Sequence, residues 1–144
     1  MMTRPVLVFL CLTTLALATA SAPAVAYRSP FIGKWTAIDP VDGSTLTAHI
    51  TGSPNAELHF YEYDNYASGC ITVLPANPDE QPVGTLIGRG PVTPAGVFEV
   101  SGTITCIDLT TGATVVLPGT TISFTYNPAT DTLLSNWNEL FHRI

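Results

Sequence analysis

Positive charge is scarce in this chain: Lys and Arg together number five, against eleven Asp and Glu. A protein that grips nucleic acid or an anionic membrane needs a basic patch to neutralise phosphates, and none can be assembled here. Helical periodicity is also missing. No window of ten or more residues after the first thirty places apolar side chains at helical spacing with helix-forming composition. Motifs that announce catalysis are absent too. There is no G-x-S-x-G, no H-E-x-x-H, no phosphate-cradling G-x-x-x-x-G-K and no dinucleotide fingerprint. The reading is a non-enzymatic protein without a cofactor or a metal.

The front of the chain carries an address. Arg4 precedes an uncharged apolar run from Val6 to Ala20, and small residues follow to Ala24-Val25-Ala26. A basic start, a short apolar middle and an A-x-A site describe a cleavable secretory signal peptide over residues 1–26. The run is shorter than the ~20 residues a membrane helix needs. The remainder, residues 27–144, is one domain by size, expected outside the cytoplasm and free of the membrane. Without Arg4, four basic residues face eleven acidic ones, a net charge of −7.

Three cysteines shrink to two once Cys11 leaves with the signal. Cys70 and Cys106 are then an even pair in an oxidising compartment, and a single structural disulfide is expected between them. It would close a loop of about 36 residues, stabilising by roughly 3–4 kcal/mol on the chain-entropy account.

What the chain has in abundance is strand. Threonine, valine and isoleucine are abundant, apolar residues often alternate with threonine, and Gly or Pro interrupts about every ten positions. Eight strands are predicted, over residues 33–38, 45–51, 57–63, 70–74, 83–89, 97–107, 115–126 and 132–137, the last running on toward Arg143. A Pro118-Gly119 irregularity falls near the start of the seventh. Short sequential loops favour an antiparallel up-and-down barrel, which removes exposed edges. A β-sandwich is the alternative, although no Trp lies between the two cysteines as an immunoglobulin-like sandwich would have.

Gly33-Lys34-Trp35 opens the first strand and Arg143 closes the last. This G-x-W with a late basic residue resembles the signature of calycin barrels, the lipocalin and avidin superfamily. The resemblance implies that Trp35 plugs one barrel end with Arg143 packed over it. A longer pattern runs through Trp35–Asp39, Asp42-Gly43-Ser44, Cys70, Cys106 and Tyr126–Leu133. It resembles a group of short, uncharacterised exported bacterial proteins, which implies export, the disulfide and an all-β fold but no activity.

Candidate binding residues follow from this architecture. Trp35, Phe60, Phe98, Ile104 and Phe124 either fill the barrel interior or line a pocket in it. Tyr61, Tyr63 and Tyr66 cluster around the third loop, where aromatics can contact a ligand or a partner protein. A five-residue turn after Thr51 would set His49 directly opposite His59, on an outward face with no evident third ligand, so the pair is read as solvated. Asp39-x-x-Asp42-Gly43 is read as a hairpin turn, since the alternating oxygens and distal Glu of a calcium loop are missing. The function expected is binding of an unknown small molecule or protein, with a small apolar ligand carrier foremost. The alternative is a secreted inhibitor of a hydrolase or protease, or another protein-interaction module.

Overall fold

A computed structural model describes residues 28–53, 56–77 and 79–144. The expected signal peptide lies outside the described residues. Eight antiparallel strands close into one barrel in sequence order: β1 (Gly33–Ile38), β2 (Thr45–Thr51), β3 (Leu58–Asp64), β4 (Pro82–Gly90), β5 (Val97–Asp108), β6 (Thr114–Asn127), β7 (Thr132–Ser135) and β8 (Leu140–Arg143). The seam is short, with β8 returning to β1 through Trp35 opposite Arg143 and Thr36 opposite His142. No described helix is long and apolar enough to cross a membrane.

Strict alternation builds the wall. Along β2, Leu46, Ala48 and Ile50 are buried while the residues between them are exposed, because successive side chains of a strand point to opposite faces. In β6 the alternation changes phase midway. Val115 and Leu117 face inward opposite Cys106 and Ile104, and Ile122 and Phe124 face inward opposite Val100 and Phe98. Gly119, left unpaired between Thr120 and Pro118 with φ of 78°, is the extra residue that makes this possible. The Pro118-Gly119 irregularity of the sequence is therefore a bulge that keeps both halves of a fourteen-residue strand on the core.

Two of the expected strands differ. Residues 70–74 form no strand. Ser68–Cys70 is one turn of 3-10 helix, and Leu74 N–H donates to the Cys70 carbonyl. Cys70 and Leu74 are buried one helical turn apart, with Ile71 and Val73 more exposed between them, a spacing of four that Ile and Val disguise as strand. The expected last strand is two, β7 and β8, joined by a turn over 136–139. There Asn138 adopts φ of 68°, and the Ser135 hydroxyl accepts from the Trp137 and Glu139 amides. The Asn-Trp-Asn run supplies the turn chemistry. One strand lost and one gained leaves the count at eight.

The interior is filled from one end. Phe60, Phe98 and Phe124 meet with ring centroids 5.0–6.4 Å apart, and Phe31 and Phe141 pack on this group. Trp35 is fully buried beneath them. Its indole N–H donates to the Phe31 carbonyl at 2.8 Å, and the Arg143 guanidinium sits 4.0 Å from its ring centroid. Arg143 also donates to Asp131, to the Ile32 carbonyl and to the Pro30 carbonyl. A Cβ at Gly33 would run into that guanidinium, so the glycine of G-x-W clears the space that the arginine occupies. This is the closed end.

Candidate functional site

The opposite end is not filled. A cavity of about 240 Å³ lies above the aromatic core, where β1, β3, β5 and β7 finish. Its floor and sides are apolar: Leu46 from β2, Leu86 from β4, Ile104 from β5 and Leu117 from β6, with Trp137 at the rim. The inward phase of Leu117 follows from the Gly119 bulge. The disulfide forms, Cys70 to Cys106 with Cα atoms 5.5 Å apart. It points inward and ties the Ala67–Cys70 segment across the mouth as one wall. Gly84 makes that wall possible, because a Cβ there would stand 3.0 Å from Ala67 Cβ.

Carboxylates dominate the polar lining. Asp39, Glu62, Asp64 and Glu139 all face the cavity, and among the described residues no Lys, Arg or His does. Glu62 is the deepest. It lies two residues inside the end of β3, between Ala48 and Leu86 in register, and only 6% of it is exposed. Its Oε2 finds no hydrogen-bond partner among the described residues. Burial pushes its carboxyl up to about 8, helped by the charges of Glu139, Asp64 and Asp39. Glu139, equally buried on the turn before β8, is also raised by burial, although the Ser135 hydroxyl donates to it at 2.9 Å. Asp64 is raised by burial as well.

At the rim, Asp39, Asp42 and Asp64 bring one carboxylate oxygen each within 4.8 Å of one another. Each already holds a turn. Asp39 accepts from the Val41 amide, Asp42 from the Ser44 and Ser68 amides, and Asp64 from the Tyr66 amide. For Asp42, burial favours the neutral form, but the hydrogen bonds from Ser68 and Ser44 outweigh it and the carboxyl stays below its usual range. Asp108 anchors the long loop over 65–81, accepting from Thr111, Thr110, Asn77 and Gln81. The Thr111 hydrogen bond leads in holding its carboxyl well below the ordinary range.

The sequence-derived candidates fall elsewhere. Trp35, Phe60, Phe98 and Phe124 are packed solid in the core, and of the five large interior residues only Ile104 lines the cavity. Tyr61 points outward from β3, Tyr63 is half-buried on the same outer face, and Tyr66 stands exposed on the following loop. None of the three touches the cavity. Seven residues, 52–58, separate the paired ends Thr51 and His59, which sets His49 opposite Tyr61. The expected direct His49–His59 pair is thus displaced by two positions, and both imidazoles are exposed. The sequence reading gave the carboxylates of the site no binding role. The signal was Glu62 itself, an acid in phase with Leu58 and Phe60 on an inward-facing strand register.

No protein-family model, curated protein or solved structure matches the chain. The closed eight-stranded antiparallel barrel, calycin-like in topology, is the part of the expected kinship that the structure supports.

Proposed function

We propose that the protein is an exported, non-enzymatic binding protein that takes one small molecule in the cavity at the disulfide-clamped end. The observation that carries this reading is the cavity: open at the mouth, floored by aliphatic side chains and held by a covalent wall. Binding sites are of this kind, mostly apolar with a few converging polar groups. Its volume suits a ligand of about ten non-hydrogen atoms, given that an engineered void of roughly 150 Å³ holds benzene. Ser68 and Thr85 face the space without a histidine beside them, which favours holding a ligand over transforming it. The disulfide supports export, because such bonds persist where the surroundings are oxidising.

Native mass spectrometry of protein purified without added ligand tests the reading. An added mass that leaves on denaturation is expected, and Ile104→Phe, which fills the cavity, abolishes it. An empty protein whose thermal midpoint is moved by no fragment of this size would refute the proposal.

A further inference from the structure

Burying a carboxylate among aliphatic side chains is costly unless something pairs with it. Nothing in the barrel does so for Glu62. Its inward neighbours in register are Ala48 and Leu86, the groups of like chemistry facing it are Glu139, Asp64 and Asp39, and its Oε2 is unpartnered among the described residues. A leucine in its place would continue the apolar face of Leu58 and Phe60. The described Lys and Arg residues stand far away. Arg28 and Lys34 precede or open β1, Arg89 lies at the end of β4, and Arg143 lies at the end of β8, all toward the closed end. Glu62 is thus a nine-tenths-buried acid aimed into an open cavity, beside a second buried acid, with no internal counter-ion among the described residues.

We infer that the cavity is a site for a small organic cation, a primary ammonium on a short apolar body, with Glu62 as its counter-ion and Glu139 beside it. This deepens the small-molecule reading above and rests on it. The two halves of such a ligand meet two halves of the site. The ammonium supplies the donor that Glu62 Oε2 lacks and adds one to Glu139, which already accepts from Ser135, in charge-assisted hydrogen bonds. The body lies against Leu46, Leu86, Ile104 and Leu117. Trp137 at the rim offers an aromatic face to an incoming cation, and the acidic mouth raises the local concentration of cations. A divalent metal suits the site less well. Hard cations take six to eight oxygens, whereas the oxygens around Glu62 are interleaved with aliphatic carbon, and the rim aspartates are engaged in backbone turns.

Protonation adds a signature. With its carboxyl raised to about 8, Glu62 carries a proton at pH 7 when the cavity is empty. An arriving R–NH3+ favours the carboxylate, so the proton passes to solvent and the ammonium keeps its own three. Binding therefore releases up to one proton below pH 8. Affinity rises by up to about tenfold per pH unit toward pH 8 and then levels off. Glu139 on the turn after β7, Asp64 on β3 and Asp39 after β1 face Glu62, and their charges add to the effect of its burial.

Isothermal titration calorimetry with three probes of one shape tests the inference: 2-phenylethylamine hydrochloride, the neutral 2-phenylethanol and the anionic 3-phenylpropanoate, with calcium chloride as a fourth titrant. A series of alkyl ammonium chlorides of four to ten carbons covers a poor fit of the ring. The ammonium should bind about tenfold or more tightly than the alcohol, as a charged hydrogen bond warrants, and the anion should not bind. Heats in Tris and phosphate at pH 7 should differ by the enthalpy of up to one released proton. Glu62→Gln, isosteric and neutral, should erase both the preference and the proton release while still taking the alcohol. Glu139→Gln should weaken the ammonium without abolishing proton release. Alcohol and ammonium binding equally would overturn the cation and leave the small-molecule reading standing. Calcium binding to the exclusion of every ammonium would overturn it in favour of a metal. No binding by any ammonium, alcohol or calcium would overturn both.

Discussion

At the closed end of the barrel, the Arg143 guanidinium rests on the Trp35 ring and makes an ion pair with Asp131 at 2.8 Å. At the mouth, Glu62 and Glu139 are more deeply buried than either member of that pair and have no cation among the described residues. Both ends place charge next to aromatic or aliphatic carbon. One satisfies it within the fold, and the other does not. Asp131 is accordingly lowered, chiefly by its hydrogen bond from Arg143, and Glu62 is raised. The contrast separates a charge that holds the fold together from one that the fold tolerates.

The largest effect should come from removing the plug. Trp35→Ala leaves a void under Phe31 and strips Arg143 of its platform, costing about 3–5 kcal/mol, to be read from urea unfolding. Loss of the mouth's clamp comes next. Replacing Cys70 and Cys106 together by alanine should cost about 2–4 kcal/mol. It should also abolish binding in the cavity even where the barrel still folds, because the Ala67–Cys70 wall is then held only by hydrogen bonds.

The third effect has the opposite sign. In the unfolded chain Glu62 loses its proton near 4.5, whereas in the fold it keeps it to about 8. Between those values the native state holds a proton that the unfolded state has released, so stability falls as pH rises and levels off above 8. Glu62→Gln should therefore stabilise the protein, on the order of 2–4 kcal/mol at pH 8 and far less at pH 4. Thermal midpoints across pH 3 to 9 would show it as a flattened alkaline side.

Asp131 runs the other way. Its folded carboxyl lies below the ordinary 3.8, so its contribution is complete above that value and is lost as the solution is acidified through the lower one. With both groups acting, stability should peak at about pH 4–5. The smallest effects sharpen the closed end. Asp131→Asn should remove the loss in acid at little cost near neutrality, since the pair is part-exposed. Arg143→Lys keeps the charge but gives up the planar fork that reaches the Pro30 and Ile32 carbonyls, so a modest fall in thermal midpoint is expected at every pH.

The closed end was the legible one. A glycine, a tryptophan and a late arginine carry a local motif, and the alternation of β2 and the core aromatics reads directly as inward and outward faces. The mouth was hidden for two physical reasons. Cys70–Leu74 has the β-branched composition of a strand, yet it forms a turn closed by the Leu74 amide on the Cys70 carbonyl and tied to β5 by the disulfide, so tertiary context overrides propensity. The site's acids sit mostly in turns, where Asp is expected for capping alone, so their convergence depended on closure bringing the loops after β1, β3 and β7 to one place. Glu62 could have been singled out from its phase in β3. The register of β2 on β3 could not, because five or seven residues between the paired ends decide it and the composition of 52–58 suits both.

Sorting of charge along the strands has one more consequence. Asp39, Asp42, Asp64 and Glu139 lie at the rim, Glu62 just beneath, and Asp79, Glu80 and Asp108 on or beside the long loop, while the four described Lys and Arg residues lie toward the opposite pole, where Glu57, Glu99 and Asp131 offset only three of them. The molecule is therefore a permanent electric dipole with its negative pole at the cavity. Near an anionic wall or lipid surface it turns its plugged pole inward and leaves the cavity facing solution. On a cationic surface it lands mouth first and shuts itself.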